Sequence, residues 1–257
     1  MRYEYDVVVL VADKDLPRAS LCLNSLVFLY PVPKGIYVVS PNGSKPEGLD
    51  ESGWTKFHFL KDDDVLRVER RGFHPGWTFQ QCVKLTQNFT GCRWYMTIDS
   101  DVIFLKKFDV FSENKPVLWY LSFARFTGYD EMLSFWGLKK ILNRSMICHM
   151  MMFHKAYCYE LVDRFIELNS KPKGLSRKEH LYYWMIENQN ETFRFSEFET
   201  YSNFVSFFHP VKYVERELSG ADTSMDKVLI VSDTLKILDE LKTVYKDISC
   251  VAIHSRI

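Results

Sequence analysis

Met96-Thr97-Ile98-Asp99-Ser100-Asp101-Val102-Ile103-Phe104 places two carboxylates two residues apart, directly after one apolar run and directly before another. The run ahead of the acids, residues 93–98, predicts a buried strand. Two ionised carboxylates in an apolar setting repel each other and lose hydration, so a compensating positive charge is required. A divalent cation supplies it, and oxygen ligands favour Mg or Mn. A cation held this way keeps sites open for phosphate oxygens. The plainer alternative is a solvated turn carrying two acids, and the apolar strand before it favours the metal.

The same pattern extends outward. Residues 5–11 form a β-branched apolar run ending in Asp13-Lys14-Asp15, and Pro17 suits the first turn of a helix to about residue 28. Residues 35–40 and 55–60 predict further short strands, the second followed by Asp62-Asp63-Asp64. A loop holding Arg70, Arg71, Gly72 and Gly76 precedes a predicted helix over 77–88. Alternating strands and helices predict an α/β unit whose ligand lies beyond the carboxyl ends of the strands. Downstream, strands are expected at 117–123, 150–153, 211–214, 228–231 and 250–253. Helices are expected at 130–142, 155–168, 177–188, 197–208 and 235–245. No Pro/Gly-rich linker divides the 257 residues, so a single domain is expected, with a central mixed sheet flanked by helices.

Composition narrows the function. Lys plus Arg and Asp plus Glu are 33 each, which argues against a global basic field for holding nucleic acid. Hydrophobic residues at 47% exclude intrinsic disorder. No apolar stretch is long enough to span a bilayer, and the N-terminus has no apolar signal-type region. Six scattered cysteines without a C-x-x-C pair read as reduced thiols. A soluble, cytoplasmic chain is expected, without a disulfide framework or structural zinc.

A strand ending in D-x-D in such a chain resembles the nucleotide-sugar glycosyltransferases of the GT-A type. Two further stretches, Gly76-Trp77-Thr78-Phe79-Gln80-Gln81-Cys82-Val83-Lys84-Leu85 and Ser196-Glu197-Phe198-Glu199-Thr200-Tyr201, together with the D-x-D resemble one D-x-D glycosyltransferase-like family. The resemblance runs from about residue 5 to 254, and it implies a nucleotide-binding half over 1–105 and an acceptor- and sugar-binding half over 106–257. It implies that Asp99 and Asp101 hold Mn or Mg on the diphosphate of a nucleoside-diphosphate sugar. It implies a hydroxyl acceptor on a saccharide, glycolipid or glycoprotein, and no nucleic-acid partner. Asp13 would contact the nucleobase or ribose, and a histidine near the chain end, His254, would be a third metal ligand. Transfer with inversion needs a base for the acceptor hydroxyl, and Glu197 is preferred to Glu199.

Each of these residues also has a plainer reading. Asp13 can cap the helix behind Pro17. Gln81 and Lys84, three apart on one helix face, would present an amide to the nucleotide and an ammonium to phosphate, or would form a wet surface. Glu197 and Glu199 suit a helix N-terminus. His254 can belong to a frayed tail. His149, beside Met150-Met151-Met152, would hydrogen-bond sugar hydroxyls or pack at an edge. Asp62-Asp63-Asp64 competes for the metal, and Trp119, Trp136 and Trp184 read as core. Two rival functions remain: a sugar nucleotidyltransferase, disfavoured by the lack of a Gly-rich phosphate loop, and a non-catalytic sugar-binding protein on the same fold.

Overall fold

The N-terminal apolar run forms β1 (Tyr5–Leu10), buried along its whole length. The computed structural model describes residues 3–53, 55–120, 128–169, 174–210, 212–218, 220–224, 241–243 and 248–254, with the backbone alone at 128, 220–224, 253 and 254. After β1 a 3-10 turn over Asp13–Asp15 leads into α1 (Leu16–Ser25), with Pro17 in its first turn. A two-residue strand β2 (Leu29–Tyr30) precedes β3 (Gly35–Ser40) and β4 (Lys56–Lys61), and a single helical turn α2 (Asp62–Val65) takes up the acidic triplet. Then come α3 (Pro75–Thr86), β5 (Trp94–Asp99) and β6 (Val102–Phe104). Next are β7 (Phe108–Asp109), β8 (Phe111–Ser112), β9 (Lys115–Tyr120) and α4 (Gly128–Met132). The remaining elements are β10 (Met150–His154), α5 (Lys155–Asn169), α6 (Arg177–Asn188), α7 (Glu197–Phe208), β11 (Val214–Glu217), β12 (Gly220–Ser224) and β13 (Cys250–His254).

The central sheet has the order β10-β5-β1-β3-β4. β4, β3, β1 and β5 run parallel, and β10 closes the edge antiparallel, with Met150 opposite Ile98. This is the expected α/β architecture with a mixed sheet. Both faces are covered, which is why the strands read as continuous apolar runs. Val8, Leu10 and Tyr95 face a core shared with Phe79, Phe165, Leu181 and Phe198 of α3, α5, α6 and α7. Val7, Val9, Met96 and Ile98 face the other core, with Cys22 and Leu23 of α1 and Val102 of β6.

The chain passes from β1 to β3 and β4 on one side, then returns to β5 on the other side of β1. The strand order therefore reverses between β1 and β5, and such a reversal opens a crevice at the carboxyl ends. Asp99 is the last residue of β5 and lies on that edge.

Some boundaries differ from expectation. The helix expected over 130–142 ends as a 3-10 turn at Trp136, because Gly137 adopts φ +61°. Its N–H and that of Leu138 then turn back to Ser134 and Leu133 carbonyls, closing the helix end. The strand expected at 211–214 begins instead at Val214. The strand expected at 228–231 lies outside the described residues, as does most of the helix at 235–245. Trp136 is fully buried in the core, as a tryptophan at that spacing was expected to be. Among the described residues no helix is long and apolar enough to cross a membrane.

Candidate functional site

Three side chains converge at the carboxyl end of β5. One ligand atom from each of Asp99, Asp101 and His149 lies within 4.8 Å of the others. Among the described residues this is the group able to hold a metal, and the competing Asp62-Asp63-Asp64 triplet does not form one. Asp62 is buried against Arg70, whose guanidinium donates to Asp62 Oδ2 at 2.5 Å.

His149 arrives through β10. It immediately precedes that strand, and its carbonyl accepts from the Asp99 N–H at 2.8 Å, extending the ladder to the acid. Its φ is +62°, a left-handed conformation that costs a non-glycine residue roughly 1 kcal/mol or more. That conformation turns the ring onto the acid, with Nδ1 3.3 Å from Asp99 Oδ2. His149 was expected to meet sugar hydroxyls; it stands in the acidic cluster itself.

Lys84 reaches the same acid from α3. Its Nζ donates to Asp99 Oδ1 and to Glu197 Oε1, each at 2.7 Å. The face shared by Gln81 and Lys84 is not wet: the two residues are 0% and 4% exposed. With its amide nitrogen turned inward, Gln81 donates to Glu197 Oε2 at 3.2 Å and to the Phe195 carbonyl at 2.7 Å. The amide and ammonium expected to meet a nucleotide and phosphate are thus held by protein groups. Glu197, expected to act as a base, has a protein donor at each oxygen and is 3% exposed.

The electrostatics follow from this packing. Burial disfavours the charged form of Lys84, but Asp99 and Glu197 outweigh it and hold the ammonium well above its ordinary pKa. Burial pushes Asp99 up, yet Lys84 and His149 more than offset it and keep the carboxyl well below the usual range. Glu197 is raised, because burial exceeds the help from Lys84.

Glu199, two residues on, serves a second lysine. Its Oε1 accepts from the Met146 N–H at 2.8 Å, and its Oε2 pairs with Lys140 Nζ. Ser196 caps α7 by accepting from the Glu199 N–H. The S-x-x-E pattern of a capping box is present, but the glutamate side chain is turned to Lys140 and Met146.

His254 ends β13. That strand runs antiparallel to β6, with Ala252 opposite Val102, so the His254 backbone follows two residues past the partner of the residue after Asp101. The His254 side chain lies outside the described part of the structure.

A cavity of about 500 Å³ opens on the same edge of the sheet. Asp13 and Lys14 after β1, Asp62 after β4, and Arg70, Trp77 and Gln80 around the start of α3 line it. Asp13 is exposed there. The volume falls in the range of small-molecule sites.

The donor set fits a divalent cation. Two carboxylates and an imidazole are groups that could hold one, and the carboxylates are hard oxygen ligands of the kind that Mg and Mn take. Lys84 pairs with Asp99 and Glu197, and Asp101 adds a third carboxylate to the cluster, so three carboxylates stand against one ammonium, an excess that one divalent cation would balance.

No family model matches the chain, and no curated protein matches it by sequence. Among solved structures it is similar to the crystal structure of an active-site mutant of LgtC, with a TM-score of 0.47 and 10% identity over 96% of this chain and 86% of that one.

Proposed function

We propose that the chain is a GT-A-type, metal-dependent glycosyltransferase that moves a sugar from a nucleoside-diphosphate donor to a hydroxyl acceptor. One observation carries the reading: Asp99, Asp101 and His149 converge at the carboxyl end of β5, on the edge of the mixed sheet that also opens the 500 Å³ cavity. Metal ligands and a nucleotide-sized cavity at a strand-order reversal are what a donor diphosphate needs.

In this reading Asp99, Asp101 and His149 hold Mn or Mg, and His254 is the further ligand. Asp13 meets the ribose or base from the cavity rim. The bond from the anomeric carbon to the diphosphate oxygen breaks, and its electron pair leaves with the nucleoside diphosphate. The acceptor oxygen bonds to that carbon, and the hydroxyl proton is released. A divalent cation, when bound, offsets the charge on the departing diphosphate.

The test is a nucleotide-release screen with UDP-, GDP- and CDP-sugars, in MnCl2 or EDTA, alongside Asp101→Ala. Metal-dependent release from one donor, absent in the variant, is the expected result. A chain that neither releases nucleotide nor shows a thermal shift with any donor and Mn would overturn the proposal.

A further inference from the structure

We infer that the first turn of α7 is the positioning element of this site, and that Glu197 and Glu199 are positioning residues. The inference rests on the metal reading above and deepens it. Each oxygen of Asp99 is held from α7 by a separate route. On one route Glu197 grips Lys84, and Lys84 donates to Asp99 Oδ1. On the other, Glu199 grips Lys140 and the Met146 N–H, and the chain from Met146 runs three residues to His149, whose ring meets Asp99 Oδ2.

The supports are themselves fixed. Gln81 holds the second oxygen of Glu197. The Lys84 ammonium lies 4.5 Å from the Phe198 ring centre, and the Lys84 carbonyl accepts from Tyr95 Oη at 2.7 Å. Asn203, one turn after Glu199, accepts from the Ile141 N–H at 2.9 Å and secures the same loop. Every residue of α7 from Glu197 to Val205 is buried. A rigid helix therefore sets both the carboxylate and the imidazole, as a well-placed metal site requires of its supporting shell.

A base role for Glu197 predicts something different. A base needs an oxygen turned to the acceptor, and its loss lowers kcat while leaving Mn affinity intact. A positioning role moves Mn affinity itself. Mn binding is therefore read by electron paramagnetic resonance for the wild type, Glu197→Gln and Glu199→Gln, with circular dichroism to confirm folding. The expected result is at least a tenfold weaker Mn Kd in both variants. Should Glu197→Gln fail to fold, Gln81→Met removes a Glu197 partner without removing a charge, and the same weakening is expected. Unchanged Mn affinity in the folded variants would overturn the inference.

Two metal-free readouts separate this inference from the metal reading. In a urea-unfolding cycle, Glu197→Gln and Asp99→Asn together strand Lys84, so the double variant loses more stability than the sum of the singles. Amide exchange at Met146 accelerates in Glu199→Gln and not in Glu197→Gln. If the wild type binds no Mn but both readouts hold, the metal reading falls and the positioning stands. If Mn binds but the losses add and Met146 exchange is unchanged, the positioning falls alone.

Discussion

At the scale of the residue, the site is a balance of charges in which a half-buried acidic cluster rests on a buried Lys84–Glu197 pair. Asp101 belongs to the acidic cluster and is half-buried, so Asp101→Asn is expected to fold normally. It should lower metal-dependent donor turnover by roughly 10²-fold or more, an effect of the size seen when a charge-stabilising group is lost; turnover and melting temperature measured together check both halves. Lys84→Met has the opposite profile. It leaves Asp99 and Glu197 beside each other without their ammonium. Breaking a buried pair by removing one partner costs about 3–5 kcal/mol, which urea unfolding would register. The position of the acid pair at the end of a buried strand was legible in the sequence, because the apolar run before it ends at Asp99. The role of Lys84 was not: its spacing from Gln81 marks one helix face, and nothing local says whether that face meets water or a buried carboxylate.

At the scale of the element, caps and turns decide where helices begin and stop. α6 starts with a full capping box: Ser176 accepts from the Glu179 N–H, and Glu179 Oε2 accepts from the Ser176 N–H at 2.7 Å. Ser176→Ala should cost about 1 kcal/mol and leave donor turnover unchanged, since the groups of the site come from β5, α3, α7 and the start of β10 rather than from α6; chemical denaturation and a release assay test the two claims. Ser196 begins α7 with a similar sequence, yet there the glutamate is turned elsewhere. α7 illustrates the reach of sequence patterns. Its existence and extent were predicted, but its burial on all sides was not, because a helix carrying Glu197, Glu199, Ser202 and Asn203 reads as half exposed. Those polar groups are accommodated only because Lys84, Lys140, Met146 and Ile141 come to meet them.

At the scale of the molecule, burial governs reactivity and pH response. Five of the six cysteines are buried and none is paired in a disulfide. The sixth, Cys92, is held up at about 11 by burial and by Asp6. A chromogenic thiol reagent near pH 8 should therefore react slowly with the native protein and titrate six thiols once it is unfolded. His154 gives the pH signature. Burial chiefly, with Arg93 and His209, lowers its pKa below the usual 6.5. The unfolded chain then takes up this proton more readily than the folded one, so the associated stability is present above 6.5 and is lost as pH falls from there through the folded pKa. Calorimetric melting against pH should show that decline, and His154→Phe, which keeps the ring against Trp94, should flatten it.

The sequence by itself indicated an α/β chain with a mixed sheet, the main strands and helices of its first hundred residues, and the acid pair at the end of one strand. These are local matters: β-branched apolar runs, turn residues and a carboxylate pair carry their meaning within a few positions. Only the tertiary structure decided which groups surround that pair. His149 is 50 residues from Asp99 and joins it because β10 enters the sheet antiparallel beside β5. Glu197 is 113 residues from Lys84 and meets it because α7 packs against α3 in the core. Such meetings are set by the packing of whole elements on the sheet, which places side chains from distant segments at one point and which no local pattern encodes.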